Sequence, residues 1–332
     1  IRYNLYIMNT TIFFSKLLLD AFRDTYKVYN YFNLKKNNNF FIFIKIFIIK
    51  FFYAFEGLRN KIKPNFEIIN QNKNFSNNSI FSEEIDLVET VEDLDLYGYS
   101  KTNKLKDNLI NDILIESINL DNFDLKKIKP KLSINDLTIN KNETLDNYIN
   151  RLNLLGVSRL TKTINLNNKN SSLNKVILSD EIIKIAQSYL NTDEISLNAT
   201  FFISNSLKIT EEEKYQNAQY FHWDNDFTKF FKLYIYLNDV NIENGPHIFI
   251  PKTHKSKKKE NKLCRLFSDE NINRNYKDKK IFLGEKGTLF FVDSYGIHKG
   301  LTPQKNYRLM LNIHFGRGKI LYSENDKYLK LN

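Results

Sequence analysis

The sequence has very little cysteine, glycine and proline. It contains one cysteine, Cys264, together with 10 glycines and 5 prolines among 332 residues. A single cysteine excludes an internal disulfide framework and fits a reducing compartment, so a cytoplasmic location is expected. The Lys-rich run from Lys252 to Lys259 lacks the Gly-rich turn or backbone nest that cradles phosphate, which favours a solvated loop.

Acidic residues are outnumbered by basic ones, 38 against 49, which gives a formal net charge of +11. Such a charge is compatible with a nucleic acid or an anionic membrane as partner. Lys, Asn, Ile and Phe are all abundant, however, so part of the basicity reflects a codon bias toward these residues. Because no nucleic-acid reader motif accompanies the charge, no nucleic-acid partner is expected.

The chain has no long uncharged apolar run. The most apolar stretch, Phe40–Phe55, is mostly Phe and Ile but contains Lys45 and Lys50. Phe and Ile favour membrane insertion by roughly 0.3–0.6 kcal/mol each, whereas each central lysine costs roughly 2.5–3.5 kcal/mol, so a span comes out near zero. No signal-peptide cleavage motif follows. The stretch predicts a helix docked on the folded domain; the alternative is a peripheral membrane contact through Phe40–Phe55.

The composition predicts a globular chain with several parts. A content of 42% hydrophobic and 14% aromatic residues is enough for a large core. We expect a hydrophobic N-terminal helical segment over 1–60, and a polar, Asn-rich, partly disordered connector over 61–137. A β-rich domain with two preceding packing helices is expected over 138–320, followed by a tail over 321–332. The first methionine is Met8, so the residues before it are given no functional weight.

Two helices are predicted just ahead of the β-rich region. The first begins after Thr144, shows apolar residues at helical spacing and ends near Gly156; its apolar positions are Leu145, Tyr148, Ile149, Leu152 and Leu155. The second has Ser179 as its N-cap and two acidic residues in its first turn. Both are expected to pack on the outside of the domain.

After Asn191 the pattern changes to short β runs separated by turn residues. The predicted strands are Ser196–Ile203, Ala218–Trp223, Phe231–Leu237, His247–Ile250, Ile281–Leu283, Thr288–Val292 and Arg308–Phe315. This spacing predicts an α+β fold with a mainly β core: a double-stranded β-helix (jelly roll, cupin-like) braced by flanking α-helices.

A His-x-Asp pair, His222 and Asp224, lies at the end of the second predicted strand. With 38 acidic residues and five histidines such a pair is expected by chance, so the pair alone is a weak signal. Its position makes it informative, because residues i and i+2 of a strand share one face and both side chains would point into the mouth of a barrel.

A third candidate ligand, His298, follows the predicted strand Thr288–Val292. The alternatives are His247, directly after Gly245-Pro246, and His254, in the Lys-rich loop. Two imidazoles and one carboxylate on one face of a metal form the triad that binds non-haem Fe(II) and leaves positions open for a chelating acid and O₂. His222, Asp224 and His298 are therefore the predicted metal-binding and catalytic residues.

Arg308 opens a strand in which polar and apolar residues alternate. An arginine inside a barrel requires an anionic partner, and the 5-carboxylate of 2-oxoglutarate would supply a planar one. The alternative is a salt bridge at the rim. Tyr234, which shares a face with Lys232 and Tyr236, is a further predicted co-substrate contact, as is Thr302. That face lines the pocket or forms the polar side of an exposed strand.

These motifs resemble the phytanoyl-CoA dioxygenase family of Fe(II)/2-oxoglutarate oxygenases. The resemblance covers about residues 138 to 318 and is carried by Gln219-Tyr220-Phe221-His222-Trp223-Asp224, Tyr236-Leu237-Asn238-Asp239-Val240, Glu243-Asn244-Gly245-Pro246, Ile250-Pro251-Lys252-Thr253-His254 and His298-Lys299-Gly300 with Arg308. It implies that the His-x-Asp pair and the distal histidine hold iron and that the arginine holds 2-oxoglutarate. The family's Pro-Gly-Ser-His turn is Pro251-Lys252-Thr253-His254 here, and the resemblance implies a structural His254.

The function implied by the resemblance is hydroxylation of a C–H bond, with O₂ and 2-oxoglutarate as co-substrates and release of succinate and CO₂. Related halogenases lack the carboxylate of the triad, so Asp224 favours hydroxylation. The substrate is expected to be a small-molecule or lipid-like compound. Two alternatives stay open: a metal-free jelly-roll binding module, and a membrane-surface scaffold that acts through its aromatic N-terminus.

Overall fold

The computed structural model describes residues 56–70, 79–120, 123, 132–168, 171–226, 228–258, 261, 265–319, 321 and 325–331, with a few residues before Glu56. Cys264 lies outside the described residues, as does most of Phe40–Phe55. Of that stretch, Phe51 packs against a buried apolar cluster that includes Phe221, Trp223 and Ile248. Within the described part of the chain, every helix is too short or too polar to cross a membrane.

Helices occur mostly in the first two-thirds of the chain. They are α1 (Glu56–Arg59), α2 (Glu67–Asn70), α3 (Leu87–Leu96), α4 (Asp107–Ile118), α5 (Ile134–Leu137), α6 (Leu145–Leu154), α7 (Ser172–Ile177), α8 (Asp180–Leu190), α9 (Glu211–Gln216) and α10 (Asp269–Asn275). The two predicted packing helices are confirmed as α6 and α8. Thr144 caps α6 by accepting from Asn147 N, and Ser179 caps α8 by accepting from Ile182 N.

The strands form two antiparallel sheets. They are β1 (Asn103–Lys104), β2 (Arg159–Thr163), β3 (Glu194–Asn205), β4 (Phe221–His222), β5 (Phe230–Tyr236), β6 (His247–Phe249), β7 (Leu266–Phe267), β8 (Lys280–Phe282), β9 (Thr288–Val292), β10 (His298–Gly300), β11 (Tyr307–Arg317) and β12 (Lys327–Lys330). The large sheet has the order β1-β9-β5-β11-β3-β12, with β2 also paired to β3, and the small sheet has the order β7-β4-β10-β6-β8.

Both faces of the large sheet are buried because each covers a different core. One face packs on the helices through residues such as Ile203, Leu233 and Leu309. The other face meets the small sheet through aromatic residues: Phe202, Tyr234, Tyr236 and Phe290 pack with Phe249 and Phe282. The predicted fold class, a jelly-roll-like β core braced by helices, is confirmed.

The described part of residues 61–137 contributes helices to the main core. Val91 and Leu94 of α3 and Ile110 and Ile113 of α4 are buried in the same cluster as the large sheet. Toward the end of the chain, β12 pairs with β3 at an edge of that sheet. The prediction missed β1, β2, β7, β10 and β12, which lack a distinct apolar run bounded by turn residues.

A buried ion pair ties α1 to the barrel. Arg59 Nη2 donates to both carboxylate oxygens of Asp293 at 2.8 and 2.9 Å, and the Tyr189 hydroxyl donates to the same carboxylate at 2.5 Å. Burial alone would raise the pKa of Asp293, but the Arg59 guanidinium and these hydrogen bonds outweigh it and hold that pKa below its usual value. The N-terminal part of the described chain is therefore joined to the domain by charge as well as by packing.

Replacing Arg59 by leucine should destabilise the protein strongly, because Asp293 would stay buried without its cation. We expect a loss of about 3–5 kcal/mol in the free energy of unfolding at neutral pH. Since the folded-state pKa of Asp293 is depressed, its contribution is present above the unfolded pKa of about 3.9 and is lost as the pH falls through the folded value. Urea unfolding at pH 7 and at about pH 3, below the unfolded pKa, measures both effects.

The matched control is Lys61→Leu, which removes the same charge from an exposed position two residues away. A change within about 0.5 kcal/mol is expected there. Equal losses in the two variants would contradict the buried pair as the cause.

Candidate metal centre

Strand pairing brings the two predicted histidine ligands together. In the small sheet β4 is antiparallel to β10, and His222 lies directly opposite His298 in the register. Their ring centroids are 4.3 Å apart. Residues directly opposite each other on paired antiparallel strands point to the same side of the sheet. Both imidazoles therefore face the space between the two sheets.

Asp224 completes the group just after β4. Its backbone N–H donates to Ser294 O at 2.9 Å, which fixes the chain beyond the strand. Its carboxylate oxygens lie 3.7 Å from His222 Nε2 and 3.6 Å from His298 Nε2. The three ligand atoms all lie within 4.8 Å of one another, and this is the only such His/Cys/Asp/Glu group found among the described residues.

Each histidine is oriented by a hydrogen bond from its other ring nitrogen. His222 Nδ1 lies 2.9 Å from Tyr220 O, and His298 Nδ1 lies 2.9 Å from Gly296 O. A carbonyl oxygen only accepts, so both Nδ1 atoms must carry the proton and both Nε2 atoms present a lone pair. This is the arrangement by which metal-binding histidines are held in the correct tautomer.

Burial also sets the charge of the group. Desolvation lowers the pKa of His222 to about 4 and that of His298 to about 3, so both rings are neutral at pH 7. For Asp224, burial would raise the pKa, but Lys232 and the two imidazoles hold it well below its usual range. Two neutral nitrogens and one carboxylate are the donor set that suits a divalent iron.

The spacing of these atoms fits an ion. Two ligands at roughly 2.1 Å from a metal and about 90–120° apart lie about 3.0–3.6 Å from each other. The Nε2 atoms of His222 and His298 lie 3.7 and 3.6 Å from the Asp224 oxygens, at the upper end of this range. With all three ligand atoms within 4.8 Å of one another, His222, Asp224 and His298 would be able to hold one ion.

Lys232 contacts the carboxylate of the group. Its Nζ donates to Asp224 Oδ2 at 2.6 Å, from strand β5 of the large sheet. Burial would lower the pKa of Lys232, but the Asp224 carboxylate raises it above its usual value, so the ammonium is charged. From the sequence, the face of β5 that carries Lys232 could be exposed or could line the pocket. In the structure, Lys232 lines the pocket.

Two of the three predicted co-substrate contacts line the same cavity as the triad. The cavity has a volume of about 170 Å³, and its walls include Arg308 and Tyr234. Arg308 is 3% exposed, and its Nε and Nη1 atoms have no hydrogen-bond partner among the described residues. Thr302 is not among the lining residues, and its hydroxyl donates to Gln219 Oε1 at 2.7 Å. Its role as a contact stays a prediction.

The lining residues that were not predicted as site residues include Arg159 and His247. Arg159 belongs to β2, a strand that the sequence pattern did not reveal, and its guanidinium stacks over Phe202 at 4.1 Å. His247 was considered only as an alternative distal ligand; it lies in β6, 2% exposed, with its ring 5.4 Å from that of His298. All three residues of β6 are buried, so the sequence of this strand gives no signal; the pairing of β6 with β10 places His247 on the same face as His298. His254 lies elsewhere, with Nε2 2.9 Å from Asp95 O.

Residues 157–303 match the family described as phytanoyl-CoA dioxygenase (PhyH). Residues 157–303 are a PhyH family domain. The PhyH domain contains all three residues of the triad, whereas Arg308 follows its last matched residue. The predicted family resemblance is thereby confirmed for these residues.

Several solved structures resemble the chain. HygX from Streptomyces hygroscopicus, solved with nickel and 2-oxoglutarate, is 11% identical over 71% of this chain and 88% of its own, with a TM-score of 0.47. The α-ketoglutarate-dependent carbocyclase SnoK from nogalamycin biosynthesis is 13% identical over 75% and 98%, with a TM-score of 0.46. The epimerase SnoN, solved with Fe³⁺, α-ketoglutarate and nogalamycin RO, is 12% identical over 69% and 82%, with a TM-score of 0.45. No curated protein sequence gives a significant match.

Proposed function

We propose that this protein is an Fe(II)/2-oxoglutarate-dependent dioxygenase that hydroxylates a C–H bond of a small organic substrate and releases succinate and CO₂. The observation that carries the proposal is the convergence of two neutral Nε2 atoms and one carboxylate beside a buried arginine that has no anionic partner within the described structure. The three ligand atoms would bind a divalent metal ion, and a dicarboxylate would pair with the guanidinium of Arg308.

The side chains divide the work of binding. His222, Asp224 and His298 would hold the iron, and Lys232 donates to Oδ2 of Asp224. Arg308 would anchor the far carboxylate of 2-oxoglutarate, with Tyr234 beside it. When bound, the iron supplies the redox chemistry that couples O₂ to the decarboxylation of 2-oxoglutarate and the oxidation of substrate.

The size of the cavity limits what it can hold. At about 170 Å³ it lies below the roughly 300–1,000 Å³ of pockets that enclose drug-sized ligands. It therefore suits a small dicarboxylate, and the organic substrate would approach from the mouth of the cavity.

Two features of the sequence support further parts of the proposal. The carboxylate at position 224 supports hydroxylation over halogenation. The single cysteine supports a cytoplasmic, reducing location, which stays a prediction.

The test is 2-oxoglutarate turnover by the purified full chain with Fe(II), ascorbate and air. We expect slow succinate formation even without the organic substrate, and its loss when a chelator removes the iron. A protein that neither binds iron nor forms succinate would overturn the proposal and support the metal-free binding module instead.

A further inference from the structure

Unpaired polar atoms from both sheets line the cavity. Arg308 of the large sheet leaves Nε and Nη1 without a partner among the described residues, and His247 of the small sheet leaves Nε2 without one. The two side chains are 3% and 2% exposed, so water from bulk solvent does not reach them freely. Buried polar atoms without partners are costly, so a ligand that pairs with both side chains would be favoured in this cavity.

Both residues lie beside Gly300. In the small sheet His247 lies opposite Gly300, which places their Cα atoms roughly 4.5–5.5 Å apart. A Cβ built at Gly300 would lie 3.1 Å from Arg308 Nη2, so the guanidinium rests against this glycine. The bare backbone at position 300 thus allows the arginine to approach the strand that pairs with His247.

Tyr234 closes the third side of this subsite. Its ring centroid is 4.5 Å from that of His247, and it lines the same cavity. Burial raises the pKa of Tyr234 to about 12, so the phenol keeps its proton at neutral pH. An anion bound beside Arg308 would lie in the same cavity that the rings of His247 and Tyr234 line.

We propose that His247 is a co-substrate-binding residue that hydrogen-bonds the 5-carboxylate of 2-oxoglutarate together with Arg308. The inference rests on the proposed function, since it assumes that 2-oxoglutarate is the ligand. A carboxylate has about four lone-pair directions, of which a guanidinium takes two. An imidazole with its proton on Nε2 takes a third, and the ring is held for this by stacking between His298 and Tyr234.

The proposal is tested by comparing two keto acids. 2-Oxoglutarate carries the distal carboxylate, whereas pyruvate has the same metal-chelating end without it. Dissociation constants are measured for both acids on the anaerobic Fe(II)-loaded protein, so that no turnover occurs. For His247→Leu we expect about a tenfold weaker binding of 2-oxoglutarate, which corresponds to about 1.4 kcal/mol, and less than a twofold change for pyruvate.

Two further variants separate binding from packing. His247→Gln keeps a side-chain N–H donor and should recover most of the lost affinity for 2-oxoglutarate. Met310→Leu changes an apolar wall of the same cavity and should affect the two acids equally. An equal loss for both acids in His247→Leu, or no loss at all, would overturn the role of His247.

Failure of the underlying function gives a different result. If the wild-type protein shows no iron-dependent binding of 2-oxoglutarate, both the proposed function and this inference fall. If the wild type binds 2-oxoglutarate more tightly than pyruvate but His247→Leu keeps that ratio, only the inference falls.

Discussion

Replacing Asp224 by alanine is expected to abolish iron-dependent succinate formation, with a loss of at least about a thousandfold. Asp224 is the only anionic member of the group, so the variant offers a divalent ion two neutral imidazoles and the nearby Lys232 ammonium. Changes to groups that only orient a metal ligand cost about 10–100-fold in affinity or activity, and loss of the charged ligand itself must cost more. Succinate formation and iron content are the measurements.

Two further substitutions isolate the cause. Asp224→Asn keeps the shape and an acceptor for Lys232 but removes the charge, and it should be nearly as inactive. Asp226→Ala removes a carboxylate from the same loop that lies 3.8 Å from His314 Nδ1 and outside the triad, so it should keep turnover. Wild-type turnover in Asp224→Ala would eliminate the assigned metal centre.

Replacing Arg308 by methionine is expected to have opposite effects on the free and the ligand-bound protein. Without ligand, the variant should be equally or more stable, because a buried guanidinium without an anionic partner is replaced by an apolar side chain. With 2-oxoglutarate, the affinity should fall by about a hundredfold or more, since the distal carboxylate loses its charged partner. Thermal unfolding with and without 2-oxoglutarate measures both signs in one experiment.

Arg308→Lys serves as the comparison for this prediction. A lysine keeps the charge but loses the planar fork, so an intermediate affinity for 2-oxoglutarate is expected. A methionine variant that binds 2-oxoglutarate as tightly as the wild type would show that the arginine serves the rim or the fold instead. Strong destabilisation of the ligand-free variant would lead to the same conclusion.

Long periodic elements were predictable because their signal is local. Helices α6 and α8 are marked by apolar spacing and N-caps, and strands β3, β5, β9 and β11 by their apolar runs. Strands β1, β2, β7, β10 and β12 carry no such run. Strand β10 holds His298, yet it became visible only through its pairing with β4 and β6.

Some residues of the candidate site were likewise identified from the sequence, whereas others required the structure. Residue types and spacing identified the His222 and Asp224 pair as ligands, and the alternation in β11 identified Arg308. Lys232 was ambiguous because an inward and an outward polar face look alike in sequence. No co-substrate role was predicted for His247, because that role depends on the pairing of β6 with β10. The residues around His247 in the chain do not reveal this pairing.

The amino-acid sequence by itself determined the donor chemistry, the PhyH-like motifs and the jelly-roll class, since these depend on residue identity and short-range periodicity. Only the tertiary structure decided that His222 lies opposite His298, that Lys232 holds Asp224, and that His247 faces the cavity of Arg308. Those facts depend on the register between strands distant in the chain. Register is set by packing across the two sheets, and a shift of one residue would turn every one of these side chains away.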